Sequence, residues 1–260
     1  MTARRRTSSV LLGLSLAAGL VAGCGGPGSS DEPGSTSRTI TVLAAASLTE
    51  TFTTLADDFE ADHPGVHVRL AFDSSATLAE QVVQGAPADV LATADQASMQ
   101  TVADTGGTAG KPRLFATNHL QLVVPKDDPA SIERLSDLDR HGVDYVVCVR
   151  TAPCGKLARA VLADSGVRAD PASEEVDVKA VLSKVSLDEA DAGLVYATDA
   201  VAAAGTVAAI DLPPSGGNST TYPVAALDGS GEPTLARQFV ELVLSARGRR
   251  VLTDAGFDEP

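Results

Sequence analysis

Four junctions in this sequence place small or hydroxylic residues where a strand runs into a helix: Ala46-Ser47, Ser74-Ser75, Pro153-Cys154-Gly155 and Asp177-Val178. The first turn of a helix has backbone N–H groups without an intrahelical acceptor and a partial charge of roughly +0.5. Several such turns converging would hold an anion without any formal cation. Ser47 and Ser75 would add hydroxyl donors, although serine at such a position is also the ordinary N-cap. Neither has the Gly-x-Ser-x-Gly flanks or paired base of a hydrolase nucleophile, so inertness toward activated esters is expected. Cys148 and Cys154, with five residues between them, are unlike the Cys-x-x-Cys of a thiol oxidoreductase. In an exported protein the pair predicts a disulfide, with buried free thiols or a metal site as alternatives. A metal would need more ligands, and His63, His67, His119 and His141 have no ligand spacing relative to the pair. Arg150 and Lys126 could reach an anion, but long charged side chains more often lie on the surface.

These junctions need strands and helices to position them. Thr39–Leu43 reads as a strand, and Phe52, Leu55, Ala56 and Phe59 recur at helical spacing until His63-Pro64-Gly65. Val66, Val68, Leu70 and Phe72 alternate as a strand, Asp73-Ser74-Ser75 caps a helix to about Gln84, and Asp89–Thr93 is a further strand. This βαβαβ order implies a parallel sheet with right-handed crossovers. His119–Pro125 opens a second α/β lobe, followed by strand Tyr145–Val149, helix Pro153–Ala163, a helix from about Val178 and strand Gly193–Tyr196. After a loop at Pro213–Asn218, strand Tyr222–Leu227 and a helical segment Thr234–Ala255 have no sheet of their own and are expected to return to the first lobe.

The N-terminus reads as an address. Arg4, Arg5 and Arg6 precede the apolar run Val10–Ala22, too short to span a bilayer, so residues 1–23 are expected to be a secretory signal. Val21-Ala22-Gly23-Cys24 resembles a bacterial lipobox, which would make Cys24 the lipid-bearing first mature residue and residues 24–37 a flexible tether. Without the signal the chain carries 17 Lys and Arg against 34 Asp and Glu, a charge of −17. That field repels nucleic acid, and no basic patch with interleaved aromatics is present in the sequence. With no Trp, three Tyr and six Phe, stacked sugar sites and large planar-cofactor pockets are disfavoured. A small ligand held by polar groups remains.

The motifs are more specific than these physical signals. Ile40-Thr41-Val42-Leu43-Ala44-Ala45-Ala46-Ser47-Leu48-Thr49, Phe72-Asp73-Ser74-Ser75-Ala76-Thr77-Leu78-Ala79, Gly85-Ala86-Pro87-Ala88-Asp89-Val90 with Ala94-Asp95, Pro153-Cys154-Gly155, Val176-Asp177-Val178-Lys179, Gly193-Leu194-Val195-Tyr196-Ala197-Thr198-Asp199-Ala200 and Tyr222-Pro223-Val224 occur in order between Arg38 and Phe257. Together they closely resemble the periplasmic molybdate-binding proteins, the receptors of molybdate ABC importers. The resemblance implies a two-lobe type II periplasmic-binding-protein fold, with lobe 1 at 38–118 and 222–260, lobe 2 at 119–221, and each lobe a mainly parallel sheet flanked by helices. It implies that Ser47 and Ser75 bind the oxyanion through hydroxyl and backbone N–H, Cys154 and Val178 through backbone N–H, and Tyr196 through its phenol. Cys154 stands where some relatives carry Ala, and a bridge to Cys148 would stiffen the turn presenting its N–H. Asp73, beside a helix start, is expected to cap or face solvent. Taken by itself, Tyr196 at a strand end would be a half-buried core residue.

The expected protein is thus an extracytoplasmic lipoprotein, held to the membrane through lipid on Cys24. It would be a monomer without catalytic role or cofactor, passing molybdate, and tungstate with little discrimination, to a membrane permease. A site made wholly of donors suits a fully deprotonated dianion, while hydrogen phosphate wants an acceptor. Sulfate, of equal charge and smaller size, would have to be rejected by cavity dimensions, and a receptor for sulfate or another tetrahedral oxyanion is the alternative.

Overall fold

The computed structural model describes residues 37–212 and 217–260. The signal peptide, Cys24, all but the last residue of the tether and Pro213–Gly216 of the predicted loop lie outside the described residues.

Two sheet regions share one long strand. In the first, β1 (Arg38–Ala45) lies between β2 (Val66–Asp73) and β3 (Val90–Ala92), all parallel, with Arg38 opposite Val66 and Ala45 opposite Asp73. The connecting helix α1 (Thr49–Asp62) turns Phe52, Leu55, Ala56 and Phe59 inward. Phe52 and Phe59 meet Phe239 at ring separations of 6.0 and 5.4 Å, and each such buried side chain contributes roughly 1.5–3 kcal/mol. Helices α2 (Ser75–Val83) and α3 (Gln96–Ala103) follow β2 and β3.

Strand β4 (Arg113–Pro125) then changes partners midway. Arg113 to His119 pair with β9 (Ser219–Ala226), itself antiparallel to β3, whereas Leu120 to Pro125 lie between β7 (Ala192–Tyr196) and β8 (Val207–Ile210). In this second region β5 (Tyr145–Cys148) is parallel to β6 (Ser173–Glu175) and β7. Helices α4 (Pro153–Asp164), α5 (Val178–Ser186) and α6 (Ala197–Ala202) flank it. Gly193 allows α5 to approach β7, because a Cβ there would lie 2.8 Å from Val181 and 3.0 Å from Val185. The α/β architecture is as expected, and the late strand does return to the first region through β9.

Two expectations are corrected. The strand read at His119–Pro125 is the second half of β4, whose first half is interrupted by a bulge between Leu114 and Ala116. The closing helical segment is two helices, α7 (Pro233–Leu244) and α8 (Ala246–Asp254), broken where Ser245 turns extended and its hydroxyl accepts the Gly248 N–H. Helices α3 and α6 and strands β6 and β8 add to the expected elements.

Candidate functional site

The four junctions converge. Ser47, Ser75, Cys154, Val178 and Tyr196 all border one small cavity, together with Ala45, Ala46, Asp73, Ser74, Ala94, Pro153 and Asp177. The centre of a water-sized sphere can move through only about 20 Å³ of it, little more than the roughly 10–15 Å³ that one water needs. A larger hollow of about 570 Å³ near Arg134 and Asp211 opens beside Leu212, where the described chain is interrupted, and none of the four junctions borders it.

Each wall is built from a chain turn with open donors. Ser47 is in a short 3-10 turn after β1, and Ser75 is the first residue of α2. Cys154 follows Pro153 at the start of α4, where Pro is tolerated because its missing N–H would have no partner. Val178 begins α5, whose N-cap Asp177 accepts the Ala180 N–H and leaves the Val178 N–H open. The N–H groups of Ser47, Ser75, Cys154 and Val178 donate to no acceptor among the described residues.

The hydroxyls are oriented by what they accept. Ser75 Oγ takes the Ala94 N–H at 2.8 Å, so its own hydrogen is free to point elsewhere. Ser47 Oγ lies 2.9 Å from the Tyr222 hydroxyl; with Tyr222 donating, Ser47 also keeps its hydrogen. Burial pushes Tyr222 far above the usual phenol range and holds it protonated. Tyr196 is likewise raised, first by burial and then by Tyr222 and Asp199. Its side chain is 1% exposed, and its hydroxyl finds no hydrogen-bond partner among the described residues. Leaving such a group unpaired costs about 1–3 kcal/mol, which an oxygen in the cavity would recover.

Two carboxylates also border the cavity. Asp73 accepts the N–H of the adjacent Ser74 at 2.6 Å and caps no N–H of α2, and Asp177 accepts Ala180. The lysines nearest in sequence face other partners: Lys156 pairs with Asp95 at 3.1 Å and Lys179 with Glu50 and Asp199. Lys126 donates to the Ala204 carbonyl and Arg150 is exposed, so neither joins the site. Cys148 and Cys154 form a disulfide that ties β5 to the start of α4. Gly155 is required beside it, since a Cβ would fall 2.0 Å from the Val149 carbonyl oxygen. The histidines are scattered: His63 bonds the Phe59 carbonyl, His67 lies near Glu60, His119 near Asp258, and His141 is exposed. No group of three metal-ligating side chains occurs among the described residues.

Sequence reasoning missed the outer layer. The supporting hydroxyl of Tyr222 and the Ala94 N–H orient the two serines, and Lys179 and Asp199, which follow Val178 and Tyr196 in the first turns of α5 and α6, pair at 3.0 Å. In the sequence Tyr222 reads only as part of the return strand, because no local pattern links it to Ser47, 175 positions away.

Residues 40–258 match the family of bacterial extracellular solute-binding proteins. The chain is 44% identical over 255 residues to the molybdate-binding protein ModA of Mycobacterium tuberculosis (strain ATCC 25618 / H37Rv), covering 97% of this chain and 98% of that one. It is 32% identical over 233 residues to the protein of the same name from Escherichia coli (strain K12), covering 84% and 88%. Its fold matches the Azotobacter vinelandii periplasmic molybdate-binding protein with a TM-score of 0.74 at 21% identity, over 85% of this chain and 99% of that one. The sulfate-binding protein SubI of M. tuberculosis H37Rv gives a TM-score of 0.74 at 19% identity, over 85% and 87%. At those identities the two structures speak to fold alone.

Proposed function

Since this chain belongs to the family of bacterial extracellular solute-binding proteins, we propose that it is the receptor of a molybdate importer, closing on the anion between two lobes and handing it to a membrane permease. The observation that carries the reading is the fully buried, unpartnered Tyr196 hydroxyl on a cavity bordered by four open helix-start N–H groups. Donors this dense, without a formal cation, suit a compact dianion whose oxygens are all acceptors. The named relative at 44% identity is a molybdate-binding protein, and this supports molybdate among such ions.

In this reading Ser47 and Ser75 each supply hydroxyl and N–H, Cys154 and Val178 supply N–H, and Tyr196 its phenol. The lobes are 38–118 with 222–260, and 119–221. Lipid on Cys24 anchors a monomer outside the cytoplasm, tungstate is bound as well, and the protein has neither cofactor nor catalytic role. The family is one of transport components, and no helix among the described residues is long and apolar enough to cross a membrane.

The test is a thermal melt of the soluble domain from Arg38 onward, stripped by dialysis, with molybdate, tungstate, sulfate or phosphate added separately. Ligand at a hundred times its dissociation constant stabilises by about 2.7 kcal/mol. Shifts of roughly 5–10 °C with molybdate and tungstate only are expected. A shift with sulfate or phosphate instead reassigns the cargo, and no shift with any of the four refutes the oxyanion site.

A further inference from the structure

Lys179 does not border the cavity, yet it follows Val178 directly in the first turn of α5. Its Nζ lies 2.7 and 2.9 Å from the two carboxylate oxygens of Glu50 and 3.0 Å from Asp199 Oδ1. Glu50 is in the first turn of α1, three residues after Ser47. Asp199 is fully buried in the first turn of α6, three residues after Tyr196, and its other oxygen accepts the Tyr196 backbone N–H at 3.3 Å. One ammonium therefore joins the segments that carry Ser47, Val178 and Tyr196. The Asp199 arm stays within the helices of the second sheet region, whereas the Glu50 arm crosses to the first.

We propose that Lys179 is a positioning residue that holds the cavity closed around its ligand, with Glu50 as the cross-cleft arm and Asp199 as the fixed arm. The inference rests on the oxyanion reading above. The Glu50 arm requires the starts of α1 and α5 to be together, so its contribution belongs to the closed arrangement alone. Such a contact slows release and leaves capture unchanged, because it forms after the anion has entered. Burial opposes the charge on Lys179, but Asp199 and Glu50 outweigh it and keep its pKa above the usual value, so the cation persists.

Lys179→Met would strand buried Asp199 without a counter-charge and is a poor probe. Glu50 is exposed, and Glu50→Gln removes the charge of the crossing arm while leaving the Asp199 pair in place. Labelled molybdate is loaded onto the native protein, Glu50→Gln and Lys179→Arg, and its release is followed after an excess of unlabelled molybdate. Glu50→Gln is expected to release about threefold faster at an unchanged capture rate, a difference that fades near ~1 M salt. Lys179→Arg is expected to release at the native rate. The ligand-free melting temperature of Glu50→Gln should match the native one. Equal release from native and Glu50→Gln at low salt, or a lower melting temperature without faster release, overturns the proposal. A native protein that retains no label overturns the oxyanion reading and this inference with it, which distinguishes the two failures.

Discussion

Replacing Ser75 by Ala separates binding from stability at a single atom. In the loaded protein the variant lacks one hydrogen bond from a hydroxyl to a charged oxygen, worth about 1.5–3 kcal/mol, so the dissociation constant should rise roughly 10- to 150-fold. In the free protein the same oxygen accepts the Ala94 N–H, and Ala94 is 3% exposed. Orphaning that N–H costs about 1–3 kcal/mol, and at this chain length each kcal/mol lowers the melting temperature by roughly 2–4 °C. The orphan is present with and without ligand, so it cancels from the affinity. Titration calorimetry with molybdate reads the first effect and a ligand-free melt the second. Ser74→Ala is the comparator, because the Ser74 side chain caps no N–H of α2 although it borders the same cavity. Ser74→Ala should stay within about threefold of native affinity. Ser75→Ala binding within threefold of native, or Ser74→Ala losing more than Ser75→Ala, would refute the assignment of Ser75.

Gly155→Ala forces a Cβ to 2.0 Å from the Val149 oxygen and 2.6 Å from the Cys148 oxygen. The turn must move, lowering stability by about 1–3 kcal/mol and displacing the Cys154 N–H; a melt and a calorimetric titration should both respond, and native values in both would contradict this packing. Asp199 gives a pH signature. Burial raises its pKa from 3.8 to about 6 despite the opposing pull of Lys179. Between those values the folded protein holds the proton more tightly than the unfolded chain, so this carboxyl's contribution to stability declines as pH rises from about 4 to 6, by up to about 3 kcal/mol. The stability of Asp199→Asn relative to native should therefore increase over that range, and a constant difference would show that Asp199 does not titrate there.

The parts legible in the sequence are those with local causes. The starts of α4 and α5 could be placed because proline fits the first turn and Asp177 accepts an N–H three residues on, whereas at α2 serine marks the start by residue type without capping it. The core face of α1 follows from the spacing of four apolar residues. Strand β4 was half hidden because exposed Leu114 and the following bulge break the alternation before Asn118. Strand β6 is Ser173-Glu174-Glu175, three polar residues made extended by pairing with β5, which no propensity reveals. The hydroxyl in Ser245 was a local stop signal for α7 that apolar periodicity outweighed. Five ligand positions came from family resemblance and the structure gathers them on one cavity, but Lys179, Glu50 and Asp199 join only in three dimensions, the first two 129 positions apart.

None of the donors around the cavity changes its protonation in the neutral range. Amide and serine hydrogens do not titrate there, and burial keeps both tyrosines protonated. These donors keep their hydrogens across that range, so a response to mild acid would have to come through Asp199, whose pKa is raised to about 6. Strand β4 runs through both sheet regions and β9 pairs with its first half where the chain comes back, so any movement of one region against the other would have to bend β4.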